Sequence, residues 1–124
     1  MLNVQDQSPI YLYAGACDMR KSFDGLLGLI ERCGMAADQG ALSGAWFVFR
    51  NRRGDKLKIM YFDRDGLAIW HKRLEQGRFQ WPQLAPGQSV ASFDVSELRL
   101  ILEGIDLNSV RRRKRWRRAA SRGS

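Results

Sequence analysis

At 124 residues, with 44% hydrophobic and 27% charged side chains, the chain is long enough for one domain with a real core and a short appendage. A formal net charge of +8 points to a polyanionic partner, while two cysteines and one histidine are too few for a structural zinc site. No stretch is apolar for long enough to cross a bilayer, and residues 1–9 do not read as a signal peptide. The expectation is a cytoplasmic protein with Cys17 and Cys33 reduced.

Ile10-Tyr-Leu-Tyr13 reads as a short strand of β-branched and aromatic residues. Asp18 predicts an N-cap for a helix over 19–33, with Phe23, Leu26, Leu27 and Ile30 at i, i+3, i+4, i+7 spacing. Gly25 and Gly28 inside it each cost about 1 kcal/mol relative to Ala, which predicts that another backbone packs close there. Arg20 and Lys21 fall in the predicted first turn, where cations oppose the helix dipole. Either Asp18 and Asp24 neutralise them or a bound phosphate does. Residues 34–45 read as a loop.

Residues 44–82 carry the most information. Three runs rich in β-branched and aromatic residues, over about 46–51, 56–62 and 67–73, are separated by Arg53-Gly54-Asp55 and Asp65-Gly66. Such spacing predicts a three-stranded antiparallel meander. Leu67, Trp70, His71 and Leu74 also satisfy helical spacing, but the Asp65-Gly66 hairpin signal favours a strand. Side chains alternate along strands, and even-length turns preserve the parity. Trp46, Val48, Leu57, Ile59, Tyr61, Ala68 and Trp70 therefore share one face, which needs a helix to cover it. The other holds Phe47, Phe49, Met60, Phe62, Leu67 and Ile69, with Lys56, Lys58, His71 and Arg73 toward the Arg52–Gly54 turn. This second face reads either as a solvated sheet end with a small satellite core or as a phosphate-contacting ridge flanked by aromatics.

Residues 75–92 read as an irregular connection, punctuated by Gly77, Pro82, Pro86 and Gly87. A second helix is predicted over 95–103, with Asp94 and Glu97 at capping-box spacing, an apolar stripe of Leu98, Ile101, Leu102 and Ile105, and Gly104 as its stop. Beyond about 108 no apolar periodicity remains. The expected fold is α+β: an antiparallel β meander of three to four strands packed with two helices over 1–108, followed by a disordered Arg-rich tail over 109–124.

Charge is unevenly spread. Residues 111–122 hold eight cations and no acid, so residues 1–110, with 13 of each sign, are formally neutral. Within them residues 50–78 carry nine basic and four acidic side chains. The candidate nucleic-acid contacts are Arg20, Lys21, Arg50, Arg52, Arg53, Lys56, Lys58, His71, Lys72, Arg73 and Arg78, joined in the tail by Arg111, Arg112, Arg113, Lys114, Arg115, Arg117 and Arg118. Trp116 adds a stacking surface for a base. Trp70, Phe79 and Trp81 are candidates for an apolar docking patch toward a partner protein or a second copy.

Catalytic readings are weak. Asp63, Asp65 and Glu75 could be imagined as a metal-binding acidic trio, but the first two fit a turn better than a metal site. His71 has no matched nucleophile, and no Gly-rich phosphate loop occurs. No catalytic residue, metal or cofactor is expected. Cys17, near Arg20 and Lys21, is either a thiol with a lowered pKa or a buried core residue.

Several segments together resemble one family. These are Tyr11-Leu-Tyr-Ala-Gly-Ala-Cys-Asp-Met-Arg-Lys-Ser-Phe-Asp-Gly-Leu26, Phe47-Val-Phe-Arg-Asn-Arg-Arg-Gly-Asp-Lys56, Tyr61-Phe-Asp-Arg-Asp-Gly-Leu67, Lys72-Arg-Leu-Glu-Gln-Gly-Arg-Phe79 and Leu102-Glu-Gly-Ile-Asp106. In this order they resemble the small accessory proteins, TnpB or Orf-two, of the insertion-sequence sixty-six family of bacterial transposons. The resemblance implies a role in transposition beside a separate transposase. It favours a non-catalytic, DNA-binding accessory factor, found on the nucleoid when bound, with DNA and the element's own proteins as partners. A protein-interaction scaffold that does not touch DNA stays open as the alternative.

Overall fold

The computed structural model describes residues 9–34 and 44–103. In chain order they form β1 (Ile10–Ala16), α1 (Phe23–Arg32), β2 (Trp46–Arg50), β3 (Lys56–Asp63), β4 (Gly66–Arg73), β5 (Val90–Phe93) and α2 (Val95–Leu102). The strands make one five-stranded sheet in the order β4-β3-β2-β1-β5. The fold is α+β as expected, but the sheet has more strands than the meander and is mixed. β1 runs parallel to β2, and every other neighbouring pair is antiparallel.

The meander has the predicted parity. Val48 opposes Ile59, which opposes Trp70, while Phe47 opposes Met60, which opposes Ile69. On the first face Ile10, Leu12, Trp46, Val48, Leu57 and Ile59 pack with Val95, Leu98 and Ile101 of α2. Phe79 closes that core, with Leu74, Trp81 and Leu84 packed against it. On the second face Phe47, Phe49 and Met60 pack with Leu26 and Ile30 of α1. Phe47, Phe49 and Met60 are 0% exposed. The second face is therefore a full core under a helix, larger than a satellite cluster, with Lys56, His71 and Arg73 left at its open end. Parallel strands need a crossover, and the one from β1 to β2 carries α1.

α2 begins where predicted. Asp94 Oδ1 accepts from the Glu97 backbone N–H at 2.8 Å, and Glu97 Oε1 accepts from that of Asp94 at 3.0 Å. α1 starts later than predicted. Its N-cap is Ser22, without a side-chain capping bond, and Asp18 instead accepts from the Arg20 backbone and guanidinium. Arg20 and Lys21 thus precede the helix and oppose no dipole. A Cβ at Gly25 would lie 3.1 Å from the Lys21 side chain, and one at Gly28 would lie 3.1 Å from Arg32 Nη1. Folded-back side chains, not a neighbouring backbone, occupy the space the glycines leave.

β5 begins within the stretch predicted as irregular and ends one residue past it; it pairs with β1 from Ile10↔Phe93 to Tyr13↔Val90. The predicted positions Gly104 and Ile105, and the tail, lie outside the described residues.

With a core on each face, Leu26→Ala under α1 and Leu98→Ala under α2 should each lower unfolding free energy by about 2–5 kcal/mol in urea titrations. A near-neutral Leu26→Ala would mean that α1 is a loose cover.

Candidate nucleic-acid interface

One end of the sheet gathers the cations of residues 50–78 other than Arg64. There β2 ends, β3 begins and β4 ends, so Arg50, Lys56, Lys58, Lys72 and Arg73 lie in adjacent rows. Arg52 and Arg53 stand exposed at the β2–β3 turn, and Arg78 is exposed beside them. The opposite end of the β3–β4 hairpin carries Asp63, Arg64 and Asp65, with Arg64 at φ +58°.

The β2–β3 turn is tightly held. Asn51 Oδ1 accepts from the backbone N–H of Gly54 and of Lys56, each at 3.0 Å, and its Nδ2 donates to Asp55 Oδ1 at 2.7 Å. Gly54 is buried at φ +79°, a left-handed conformation costly for other residues, and a Cβ there would approach the Arg78 side chain at 3.5 Å. From outside the turn, Phe79 N–H donates to Gly54 O at 2.8 Å and Leu74 N–H to Asp55 O at 2.7 Å. Arg52 and Arg53 are thus presented by a braced backbone. The Asn51 hydrogen bond also pulls the Asp55 carboxyl below the usual range and ties up the one acid of the turn.

Not every candidate is available at the surface. Lys58 is 8% exposed, and its ammonium donates to Met19 O at 2.8 Å and Lys21 O at 2.7 Å. It is a structural lysine tying β3 to the segment before α1, and it leaves the set of surface contacts. Arg50 is half-buried, with its guanidinium 5.2 Å from the Trp81 ring centre in a cation–π contact. Arg20 pairs with Asp18 at 2.8 Å, and the hydrogen bonds from Arg20 lower the Asp18 carboxyl to about 2. Lys21 is half-buried, with its side chain folded back on Gly25.

Lys56, His71 and Arg73, with Glu75, line an open depression of about 360 Å³. Arg73 bridges to Glu75 at 3.2 Å, an exposed pair of little energetic weight. The depression, the Arg52–Arg53 turn, Lys72 and Arg78 make one cationic sheet end.

Among the apolar candidates, Phe79 is 3% exposed and belongs to the core, so it is no docking residue. Trp70 and Trp81 are half-buried. Burial raises the Cys17 thiol above its usual pKa despite the charges of Lys21 and Lys58, which is the inert reading of that residue. Asp63 and Asp65 lie at one end of β4 and Glu75 lies beyond the other, so the acidic trio does not converge. Sequence reasoning missed Asn51 as the organiser of the turn; its position at the start of a Gly-containing turn was the available signal.

Residues 8–112 match the family described as IS66 Orf2 like protein. The chain belongs to that family. It is thereby a transposon accessory protein of the IS66 Orf2-like kind, as the resemblance implied. It is 35% identical over 97 residues to the uncharacterized protein y4hO of Sinorhizobium fredii, covering 78% of this chain and 80% of that relative. A second uncharacterized protein of the same organism, y4jC, is 32% identical over 96 residues, covering 77% of this chain and 78% of that one. No solved structure matches. No helix among the described residues of this IS66 Orf2-like chain is long and apolar enough to cross a membrane.

His71 provides a pH readout of the cationic end. Partial burial of the ring, then the charges of Lys58 and Lys56, hold its pKa below the ordinary 6.5. The unfolded chain therefore takes up this proton first as pH falls. The His71 contribution to stability is present above about 6.5 and is lost as pH drops through the folded-state value. In an NMR titration the His71 ring should show a midpoint below 6.5, and Lys56→Ala should move it upward. A midpoint at or above 6.5 would show that the neighbouring cations do not act on the ring.

Proposed function

We propose that this chain is a non-catalytic, DNA-binding accessory protein of an insertion-sequence transposition complex, acting beside a separate transposase. The observation that carries the reading is the segregation of charge. Arg52, Arg53, Lys56, Lys72, Arg73 and Arg78 share one sheet end, where the two nearby acids, Asp55 and Glu75, are engaged by Asn51 and Arg73. A braced turn bearing two arginines meets phosphates with little reorganisation. Contacts of this kind neutralise the backbone and set the protein's position on a duplex; they carry no base identity. Arg111 to Arg118 add a second cationic segment in the sequence, suited to further phosphates on any duplex. Family membership supports the setting, with the transposon ends as the natural DNA and the element's other proteins as partners. The separation of Asp63 and Asp65 from Glu75 supports a role without nuclease chemistry.

A salt titration of binding to end-derived and random duplexes tests this reading. If sheet end and tail together neutralise about six to eight phosphates, log K should fall with log salt at a slope of roughly −5 to −7. Deleting residues 111–124 should remove the larger share of that slope and weaken all sequences alike. Changing Arg52, Arg53, Lys56 and Arg73 to Ala should flatten the slope too, but by less than the tail deletion does. Equal affinity and slope for the intact protein and both variants would overturn the reading and leave the scaffold alternative.

A further inference from the structure

Among the described residues β4 is an edge strand, with β3 on one side and no strand on the other. Edges of sheets are usually blunted by shortness, charged side chains, proline or a bulge, because an open row of N–H and C=O groups templates pairing; on β4 charge is confined to the last residues, and its middle carries none. β5, at the far edge, has four residues. β4 has eight, without proline, in unbroken register with β3 from Gly66 to Arg73. Its middle, Leu67-Ala68-Ile69-Trp70, is apolar and only half-buried. A basic run, His71-Lys72-Arg73, follows it, and the acidic turn Asp63-Arg64-Asp65 precedes it.

The hydrogen-bond parity of this edge follows from its neighbours. Leu74 N–H donates to Asp55 O at 2.7 Å, on the β3 side, and Asp63↔Gly66 closes the hairpin. Even-numbered residues of β4 therefore point their backbone groups at β3. Leu67, Ile69, His71 and Arg73 point theirs outward.

We infer that β4 pairs antiparallel with β4 of a second copy about a twofold axis at Ile69, joining two five-stranded sheets into one. Shape and charge select this occupant and this register. The axis sets Ile69 against itself with outward backbone groups on both copies. Ala68 then opposes Trp70 of the second copy, a methyl beside an indole. Leu67 opposes His71, Gly66 opposes Lys72, and the turn residue Asp65 comes beside Arg73. Opposite charges and large-with-small pairs across strands are the favourable combinations. Shifting the axis to Trp70 brings Asp65 beside Glu75. Shifting it to Ala68 brings Arg64 beside Lys72 and moves Asp65 from Arg73 to His71, and shifting it to His71 crowds the two basic runs together. The arrangement is isologous, as a twofold dimer requires, and it directs the two cationic sheet ends away from each other. One strand pair buries less than the roughly 1,200–2,000 Å² of a typical stable interface, so the dimer is a weak one, of micromolar order.

Sedimentation equilibrium of the full chain without DNA tests this independently of the DNA-binding reading. The weight-average mass should climb from monomer toward dimer with concentration. Asp65→Arg or Arg73→Asp alone should weaken association by about fivefold or more, since each change acts twice in a symmetric dimer. The two together should restore it, because the charges are then exchanged across the same contact. Ile69→Lys, which sets two cations at the axis, should abolish it. A monomer at every concentration would overturn the inference. So would a dimer indifferent to both single charge changes, or one that the double change fails to restore.

Discussion

The constraint on which the rest of the structure depends is that β2 and β3 are apolar on both faces. Val48, Leu57 and Ile59 point one way, Phe47, Phe49 and Met60 point the other, and all six are 0% exposed. Fully burying each such side chain is worth about 1.5–3 kcal/mol, so neither face can be left to water. The two helices among the described residues, α1 and α2, take opposite sides. α1 reaches its side within the crossover between the parallel strands β1 and β2. Charge is then displaced to the ends and edges of the sheet. The cationic end follows from a core that leaves basic side chains few other places.

Among the described residues Lys58 is the one buried cation, and its environment shapes the neighbouring chain. Its ammonium takes the carbonyls of Met19 and Lys21, which an earlier-starting helix would have used for its own hydrogen bonds. α1 is thereby held back to Phe23, and the Asp18–Arg20 turn forms in front of it. On the other side of the same end, Asn51 and the backbone of residues 74–79 brace the β2–β3 turn. A loop pinned from two sides holds its arginines in place at small entropic cost, which suits repeated phosphate contacts.

What was legible in the sequence was local. Alternation along the strands and the two turn signals mark the meander and which residues share a face, because parity propagates through even turns. Asp94 and Glu97 marked the start of α2, since a capping box is a contact between residues three apart. The misreadings share a long-range cause. The Lys58 contacts that displace the start of α1 span 37 and 39 residues. β5 is a strand because Val90–Phe93 finds β1, far away in the chain, while its own surroundings carry turn residues. Phe79 reads from the sequence as a docking residue beside Trp70 and Trp81, yet it sits in the core on the α2 side and its N–H donates to Gly54 O, neither visible from neighbouring positions. Of the candidate site, Arg52, Arg53, Lys56, Lys72, Arg73 and Arg78 could be read as one cluster, whereas the inward turn of Lys58 could not.

The account rests on the cationic sheet end meeting DNA, and the most direct measurement is an amide chemical-shift map of the chain lacking residues 111–124, titrated with a short duplex. The perturbed amides should run through residues 51–56, 71–73 and 78, including the indicative Gly54, and fade toward the 63–66 hairpin. Perturbations centred on 63–66, or none at all even at low salt with duplex in large excess, would contradict it.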